Sequence, residues 1–165
     1  MIHTDANIAL YGFMGTGKTT TGRLLAQVLS RSFIDLDQHI ELRNGMQISE
    51  MFAKHGEESF REKEEEAVLS MPFDSPHVLA LGGGSLLREK CKAHIRGHYK
   101  IYTLIVPFSV LKDRLKGEER PLAVFADSLY TSRLEHYQSI GTSISVTTQS
   151  PTACAELILE SLHAA

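Results

Sequence analysis

Short apolar runs alternate along the chain with stretches whose apolar residues recur at the spacing of a helix. The apolar runs are typical of buried strands, because they are brief and are bounded by polar, glycine or proline residues. They occupy residues 7–11, 32–35, 77–81, 100–106 and 143–147. Helices are predicted over residues 20–29, 38–43, 49–54, 57–70, 88–96, 109–116, 127–139 and 151–162. Strands that alternate with helices predict the α/β class, here a three-layer α/β/α sandwich with a five-stranded parallel sheet.

Polar or glycine-rich segments directly follow three of the predicted strands. Residues 12–19 follow the first strand, Asp35 and Asp37 close the second, and residues 82–84 follow the third. The carboxyl ends of parallel strands meet at one edge of the sheet, where ligands bind. We therefore expect these three segments to form a single site.

Residues 12–19 read Gly-Phe-Met-Gly-Thr-Gly-Lys-Thr and fit G-x-x-x-x-G-K-[ST], the phosphate-binding P-loop. The glycines allow the backbone to turn, so that N–H groups converge on an anion at the start of a helix. Lys18 supplies a positive charge for the β- and γ-phosphates, and the Thr19 hydroxyl can bind Mg²⁺. A glycine-rich turn with an exposed lysine is the alternative, but the strand before the motif and the helix after it favour the P-loop.

Two aspartates follow the second predicted strand. Asp35 can hold Mg²⁺ directly or through water. Asp37 lies two residues further on and can orient or deprotonate a hydroxyl that attacks the γ-phosphate. Asp37 can also cap the helix that follows, and the two roles are compatible.

Two segments between the aspartates and the fourth strand are candidates for binding an acceptor. In an acidic stretch, Arg61 lies three residues before Glu64, which can hold its guanidinium ready for a substrate carboxylate. The charges of this stretch can equally form a solvated helix face. Three consecutive glycines at 82–84 indicate close approach to the backbone, or else a flexible turn.

Two later arginines complete the set of candidates. Arg120 lies in a loop bounded by glycine and proline, and such a loop can close over a nucleotide and stabilise the transferring phosphoryl group. Arg133 precedes Tyr137 by about one helical turn, and by its spacing alone it is typical of a surface residue.

The composition narrows the classes of function. A chain of 165 residues with a net charge of −3 suits one domain and has no overall field that favours nucleic acid or a membrane. No apolar stretch approaches the roughly 18 residues of a membrane span, and the first residues lack the features of a signal peptide. Cys91 and Cys154 have neither metal-ligand nor redox spacing and suit a reducing compartment. We expect a cytoplasmic, monomeric enzyme without nucleic-acid or membrane partners.

Taken together, these segments resemble the shikimate kinase family over nearly the whole chain. The P-loop is shared with many families, but the order of the other segments is specific: Asp35-Leu-Asp37, Gly56-Glu-Glu-Ser-Phe-Arg61, Gly82-Gly-Gly84, Arg120-Pro-Leu122, and Arg133 followed by Tyr137. The resemblance implies a P-loop fold of the nucleoside monophosphate kinase-like type. It implies one kinase domain over residues 1–165, with substrate-binding helices at about 37–70 and a lid loop at about 116–126. The implied reaction is phosphorylation of the 3-hydroxyl of shikimate by ATP with Mg²⁺, on the route to chorismate and the aromatic amino acids.

The resemblance also implies roles for individual residues. The expected catalytic residues are Lys18 and Arg120, which stabilise phosphoryl charge, and Asp37, the expected base. The residues expected to bind ATP are Gly15, Thr16, Gly17, Lys18, Thr19, Thr20, Arg120 and Gln149, the last beside adenine. Those expected to bind shikimate are Asp37, Arg61, Gly82, Gly83, Gly84 and Arg133, of which the two arginines hold the carboxylate. The expected metal ligands are Thr19 and Asp35, the latter through water.

The sequence departs from the family around the lid. Ala123 stands where a second leucine is common, and the segment 116–119 is compact. The family often places an arginine beside adenine before the lid, and Lys116 is its nearest counterpart here. These differences concern nucleotide affinity and lid movement rather than the class of reaction.

Four other functions are weighed against this one. A guanine-nucleotide switch would need an Asn-Lys-x-Asp segment, which is missing from the sequence. A nucleoside monophosphate kinase usually has a longer lid and residues that recognise a base. A gluconate-type sugar-acid kinase is the closest rival, because it also phosphorylates a hydroxylated carboxylate. A regulatory domain that has lost catalysis is disfavoured by the presence of Lys18, Asp37 and Arg120.

Overall fold

The computed structural model describes residues 5–117, 122–147 and 149–164. The strands are β1 (Asn7–Gly12), β2 (Ser32–Asp35), β3 (His77–Ala80), β4 (Tyr99–Ile105) and β5 (Thr142–Ser145). They form one five-stranded sheet in the order β2-β3-β1-β4-β5, and every pairing is parallel. The predicted parallel sheet of five strands is confirmed.

Helices connect the strands, as the alternating pattern predicts. They are α1 (Lys18–Val28), α2 (Leu36–Asn44), α3 (Ile48–Leu69), α4 (Glu89–His98), α5 (Phe108–Arg114), α6 (Ala126–Gln138) and α7 (Pro151–His163), and a short 3₁₀ helix covers Ala123–Phe125. All residues of β1 are buried, so helices cover both faces of the sheet, which confirms the three-layer arrangement. Within the described residues, no helix is both long and apolar enough to cross a membrane.

A kink divides α3 into the two helical segments that the sequence predicts. Gly56 has φ 81° and ψ 172°, which lie outside the helical region. Positive φ strains residues with a Cβ, and glycine adopts it at no such cost. The part of α3 before Gly56 and the part after it therefore point in different directions, and each contributes its own side chains to the site described below.

The register of the sheet brings the three polar segments to one edge. Leu10 of β1 and Asp35 of β2 are both paired with Ala80 of β3, so β2 and β3 end level with each other and two residues before the end of β1. The pairing continues past β3, because the Leu81 N–H donates to the Leu10 carbonyl at 2.9 Å. The P-loop, the aspartates and the glycine triplet consequently emerge side by side, as the sequence predicts.

Candidate active site

The P-loop closes tightly against the sheet and opens into the start of α1. A Cβ on Gly12 would lie 2.5 Å from the Leu104 carbonyl oxygen, which leaves room only for glycine. Gly15 and Gly17 have φ of 79° and 91°, in the left-handed region. Gly17 is the N-cap of α1 and has no side chain to cap it, so an anion bound in the loop can satisfy the first N–H groups of the helix.

Lys18 lies across the mouth of this loop. Its Nζ donates hydrogen bonds to the carbonyl oxygens of Gly12 at 2.7 Å and Phe13 at 2.8 Å. Thr16 is buried, and its hydroxyl donates to the Phe13 carbonyl at 2.9 Å. The lysine thus stands ready beside the phosphate position, whereas the Thr16 side chain stabilises the loop itself.

The Asp35 carboxylate joins the P-loop helix to α2. It accepts a hydrogen bond from the Thr19 hydroxyl at 2.7 Å through one oxygen and from the Gln38 N–H at 3.2 Å through the other. Asp35 is therefore the N-cap of α2, and Asp37 lies inside its first turn. The alternative that Asp37 caps this helix is wrong, because α2 begins at Leu36, two residues earlier than that role requires.

The pair of Thr19 and Asp35 fits a magnesium site. A hydroxyl and a carboxylate are hard oxygen donors of the kind that Mg²⁺ prefers. No group of three or more His, Cys, Asp or Glu side chains that could hold a metal lies within the described ranges. Mg²⁺ keeps several waters and binds through one or two carboxylates together with substrate phosphates, so a single carboxylate beside the P-loop suits it.

Two adjacent cavities lie at this edge of the sheet. The first, of about 270 Å³, is lined by the P-loop and the start of α1 together with Asp35 and Arg114. The second, of about 400 Å³, is lined by apolar and charged side chains from α2, α3 and α6. Asp37, Gly82 and Gly83 line both cavities, so the cavities meet at these residues. We call them the phosphate cavity and the acceptor cavity.

A buried ion pair lies in the wall of the acceptor cavity. The Arg61 Nη1 donates to the Glu64 carboxylate at 2.7 Å, as the spacing of the two residues predicts. Burial raises the pKa of Glu64, and the neighbouring Asp37 raises it further, while Arg61 acts in the opposite direction. The second edge of the guanidinium contacts the more exposed Glu57 at 3.5 Å. Arg61 is thus fixed in position and directed into the cavity.

Two glycines of the triplet, Gly82 and Gly84, lie tightly against neighbouring side chains. A Cβ on Gly84 would lie 2.6 Å from Arg61 Nη2, and one on Gly82 would lie 3.0 Å from Glu64 Oε2 and 3.1 Å from Asp37 Oδ1. The expectation that something approaches this backbone closely is therefore confirmed. The close groups are the charged side chains of the cavity itself.

Arg133 and the apolar wall complete the acceptor cavity. Arg133 is buried in α6 and lines the cavity, so it is not the surface residue that its spacing alone suggests. The lining also has an apolar part, with the side chains of Met14, Ile48, Phe52, Phe60 and Leu122. The cavity therefore combines two guanidinium groups with an apolar surface, which suits a small anion with a carbon ring.

Several expected nucleotide residues line the phosphate cavity, and others do not. Those that line it are Gly15, Gly17, Lys18, Thr19 and Thr20. Gln149 is outside both linings, and its side chain accepts a hydrogen bond from the Thr147 N–H at 2.7 Å. The predicted role of Arg120 falls on a residue outside the described ranges.

Arg114 is a lining residue that the sequence reasoning missed. It donates to the Gly15 carbonyl at 3.1 Å and faces the phosphate cavity. Lys116, expected to be the nearest cation, has a side chain that is 73% exposed and pairs with Asp113. The only signal for Arg114 was its position in the last turn of a predicted helix, which does not tell which way a side chain points.

Comparisons with known proteins agree with this geometry. The family model described as shikimate kinase matches residues 14–163. A shikimate kinase from Thermobifida fusca is 39% identical over 163 residues, which cover 94% of each chain. The solved structure of a shikimate kinase from Acinetobacter baumannii in complex with shikimate has a TM-score of 0.92 at 30% identity, and the match covers 98% of this chain and 94% of that one.

A gluconokinase structure provides a contrast. The enzyme from Sinorhizobium meliloti aligns with a TM-score of 0.55 at 18% identity, over 96% of this chain and 92% of that one. At that identity the likeness concerns the fold alone.

Proposed function

The chain belongs to the shikimate kinase family, and we propose that its two cavities bring the γ-phosphoryl group of ATP to the 3-hydroxyl of shikimate. The products are shikimate 3-phosphate and ADP. One observation carries the proposal: Asp37 lines both the phosphate cavity and the acceptor cavity. A carboxylate at that junction can contact a hydroxyl in one cavity while the phosphoryl group lies in the other.

The P-loop holds the phosphates of ATP. Its backbone N–H groups and the start of α1 bind the phosphate oxygens, and Lys18 exchanges its contacts with Gly12 and Phe13 for contacts with the β- and γ-phosphates. Thr19 and Asp35 would hold Mg²⁺, which neutralises part of the phosphate charge when it is bound.

Arg61 and Arg133 hold the carboxylate of shikimate. A guanidinium binds a carboxylate through two parallel hydrogen bonds, and the pairing of Arg61 with Glu64 fixes its plane before the substrate arrives. The apolar wall formed by residues such as Phe52 and Phe60 lies against the carbon ring. Fixing the acid at its carboxylate fixes the direction in which its hydroxyls point.

Asp37 orients the acceptor hydroxyl and takes its proton. The hydroxyl oxygen forms a bond to the γ-phosphorus as the bond between that phosphorus and the β,γ-bridging oxygen breaks, and ADP leaves with the bridging oxygen. We assign Lys18 to the β- and γ-phosphates and Arg120 to the transferring phosphoryl group. In such a loose transition state, catalysis depends mostly on position and charge.

The active site is proposed to be complete within one chain, which acts as a monomer in the cytoplasm. Cys91 and Cys154 are buried free thiols, which fits a reducing compartment. Light scattering coupled to size exclusion measures the mass directly, and a dimer mass would contradict the monomer.

An ADP-release assay across several acceptors tests the activity. Purified protein is given ATP and Mg²⁺ with shikimate, gluconate or nucleoside monophosphates, and ADP formation is coupled to a spectroscopic signal. We expect turnover that depends on shikimate. Turnover on another acceptor without turnover on shikimate would reject the proposed substrate.

A further inference from the structure

The carbonyl oxygen of Gly83 accepts hydrogen bonds from two buried tyrosines. The Tyr137 hydroxyl donates to it at 2.6 Å and the Tyr11 hydroxyl at 3.2 Å. Tyr137 belongs to α6, whereas Tyr11 belongs to β1 and directly precedes the P-loop. This one carbonyl therefore ties the glycine triplet both to the strand that carries the P-loop and to the helix that carries Arg133.

Tyr11 has a second partner. Its hydroxyl lies 3.0 Å from Nε2 of His136, and the two rings meet edge to face with centroids 5.9 Å apart. A hydroxyl has a single proton, so Tyr11 can donate either to Gly83 or to His136. When Nε2 of His136 has a proton, it donates to Tyr11, and the tyrosine proton is directed to Gly83.

The surroundings of His136 keep it neutral. Burial is the largest cause that lowers its pKa, and Lys92 and Arg96 of α4 and Arg133 of α6 lower it further. Burial raises the pKa of Tyr11, so the tyrosine keeps its proton. A neutral imidazole has one ring N–H, on either Nδ1 or Nε2. When the Tyr11 hydroxyl donates to Gly83, its oxygen can accept a proton from His136, which favours that proton on Nε2.

The peptide held in this way forms part of the acceptor cavity. The Gly83 carbonyl and the Gly84 N–H belong to the same planar peptide, so fixing one fixes the other. Gly84 lies directly against Arg61, with only 2.6 Å between Nη2 and a Cβ built on Gly84. A rotation of the peptide between Gly83 and Gly84 would therefore move backbone that faces the bound acid and would shift the Arg61 guanidinium.

We propose that Tyr11 and His136 are positioning residues for the acceptor: His136 donates to Tyr11, and Tyr11 in turn donates to Gly83. The inference rests on the proposed function, because it concerns the binding of the acid that receives the phosphoryl group. Neither residue lines the acceptor cavity, so both act through Gly83.

Four variants test the pair: Tyr11→Phe, His136→Leu, the double variant, and His136→Gln. We expect Tyr11→Phe to raise KM for shikimate about three- to tenfold, the value of one hydrogen bond, with KM for ATP unchanged. His136→Leu should have a smaller effect of the same kind, and the double variant should equal Tyr11→Phe, because the histidine acts only through the tyrosine. His136→Gln should keep KM for shikimate near the wild-type value, since the glutamine amide can donate to Tyr11 in place of the imidazole.

Tyr102→Phe is the matched control. Tyr102 is fully buried in β4, and its hydroxyl contacts Ser161 at 3.4 Å in α7, away from the acceptor cavity. This variant should leave both KM values unchanged. Equal changes in KM for shikimate and ATP, additive effects of Tyr11→Phe and His136→Leu, or no change in KM despite a lower melting temperature would overturn the inference.

The same experiments separate failure of the inference from failure of the proposed function. If wild-type protein uses gluconate instead of shikimate, the proposed substrate is wrong, and the pair is judged by KM for gluconate. If wild-type protein uses shikimate and Tyr11→Phe behaves like wild type, only the inference is wrong.

Discussion

The Thr19 hydroxyl donates a 2.7 Å hydrogen bond to Asp35, which links the first turn of α1 to the end of β2. The same carboxylate caps α2 through the Gln38 N–H. Asp35 therefore has two roles, one in the proposed metal site and one in helix stability, and they require different chemistry. A cap needs an acceptor oxygen, whereas Mg²⁺ benefits from the negative charge.

Two substitutions at Asp35 should separate these roles. Asp35→Asn keeps an oxygen for the cap, so we expect nearly normal melting and a several-fold higher Mg²⁺ concentration for half-maximal activity. Asp35→Ala should raise the Mg²⁺ requirement in the same way and also cost about 1 kcal/mol of stability through the lost cap. Thermal melting and Mg²⁺ titrations of both variants measure the two effects. Equal Mg²⁺ requirements in wild type and Asp35→Asn would remove Asp35 from the metal site.

Asp37→Asn should stop phosphoryl transfer while ATP still binds. The amide keeps the shape of the side chain but cannot take the proton of the attacking hydroxyl, so we expect kcat to fall about 100- to 10,000-fold. Calorimetric titration with ATP should give a normal dissociation constant, because the P-loop is unchanged. If kcat stays near normal, Asp37 is neither base nor essential orienter.

Glu64→Gln should weaken the binding of shikimate and spare ATP. Without its charged partner, Arg61 loses the fixed plane that suits a carboxylate, and we expect KM for shikimate to rise about tenfold, the value of a hydrogen bond to a charged group. Glu66→Gln is the control, because Glu66 lies on the same helix but pairs with Arg43 at the surface. An equal increase in KM for ATP would show that Glu64 does not act through the acceptor.

Gly84→Ala should displace Arg61. The new Cβ would come within 2.8 Å of Arg61 Cζ, and the ion pair with Glu64 limits how far the guanidinium can retreat. Misplacement of a binding group by about 1 Å can cost up to about 100-fold, so we expect kcat/KM for shikimate to fall about 10- to 100-fold.

Gly97→Ala is the matched control for this substitution. No atom lies within 4 Å of a Cβ at Gly97, which is part of α4. Because alanine favours a helix by about 1 kcal/mol over glycine, this variant should melt slightly higher and keep full activity. Similar loss of activity in both variants would mean that the contact with Arg61 is not the cause.

His94 should make the fold sensitive to mild acid. Burial and the neighbouring His98 lower the pKa of His94 below its usual value of 6.5, and its Nε2 is buried without a hydrogen-bond partner. Between about pH 6.5 and the lower pKa of folded His94, the unfolded chain therefore binds more protons at this residue than the folded chain does. The stability that neutral His94 contributes is fully present above about pH 6.5 and is lost as the pH falls through the pKa of the folded state.

We expect His94→Gln to reduce the drop in melting temperature between pH 7 and pH 5, as glutamine does not titrate. His55 is exposed on α3, and His55→Gln is the control. In this control, the melting temperature should drop between pH 7 and pH 5 by as much as in the wild type. The prediction fails if both variants lose stability with acid as much as the wild type does.

The sequence was sufficient for the features that depend on local pattern. The P-loop and the pairing of Arg61 with Glu64 follow from spacing along one element, and the strands end within two residues of the predicted positions. The break near Gly56 also follows from local pattern, because a glycine there ends one helical periodicity before the next begins.

The sequence was insufficient where the direction of a side chain depends on packing between distant elements. Arg114 and Lys116 are two residues apart, yet only Arg114 faces the phosphate cavity. The contact between Tyr11 and His136 joins residues 125 positions apart, and nothing in the sequence around either residue predicts it. The sequence offered Asp37 as the cap of α2, whereas the structure has Asp35 there, because the helix begins at Leu36 and the start of a helix is hard to fix from sequence.

Asp37 lines both cavities, so the proposed site sets a fixed span between the carboxylate of the acceptor and its reacting hydroxyl. If Arg61 and Arg133 hold the carboxylate as proposed, the hydroxyl that reaches Asp37 is the one whose separation from the carboxylate matches the span from the arginines to the junction. An acid with an identical set of functional groups but a shorter or longer carbon frame would place carbon, or the wrong hydroxyl, at that point. Under the proposed roles, the site would select among polyhydroxy acids by this distance, and lengthening the acid should change which oxygen is phosphorylated before it abolishes binding.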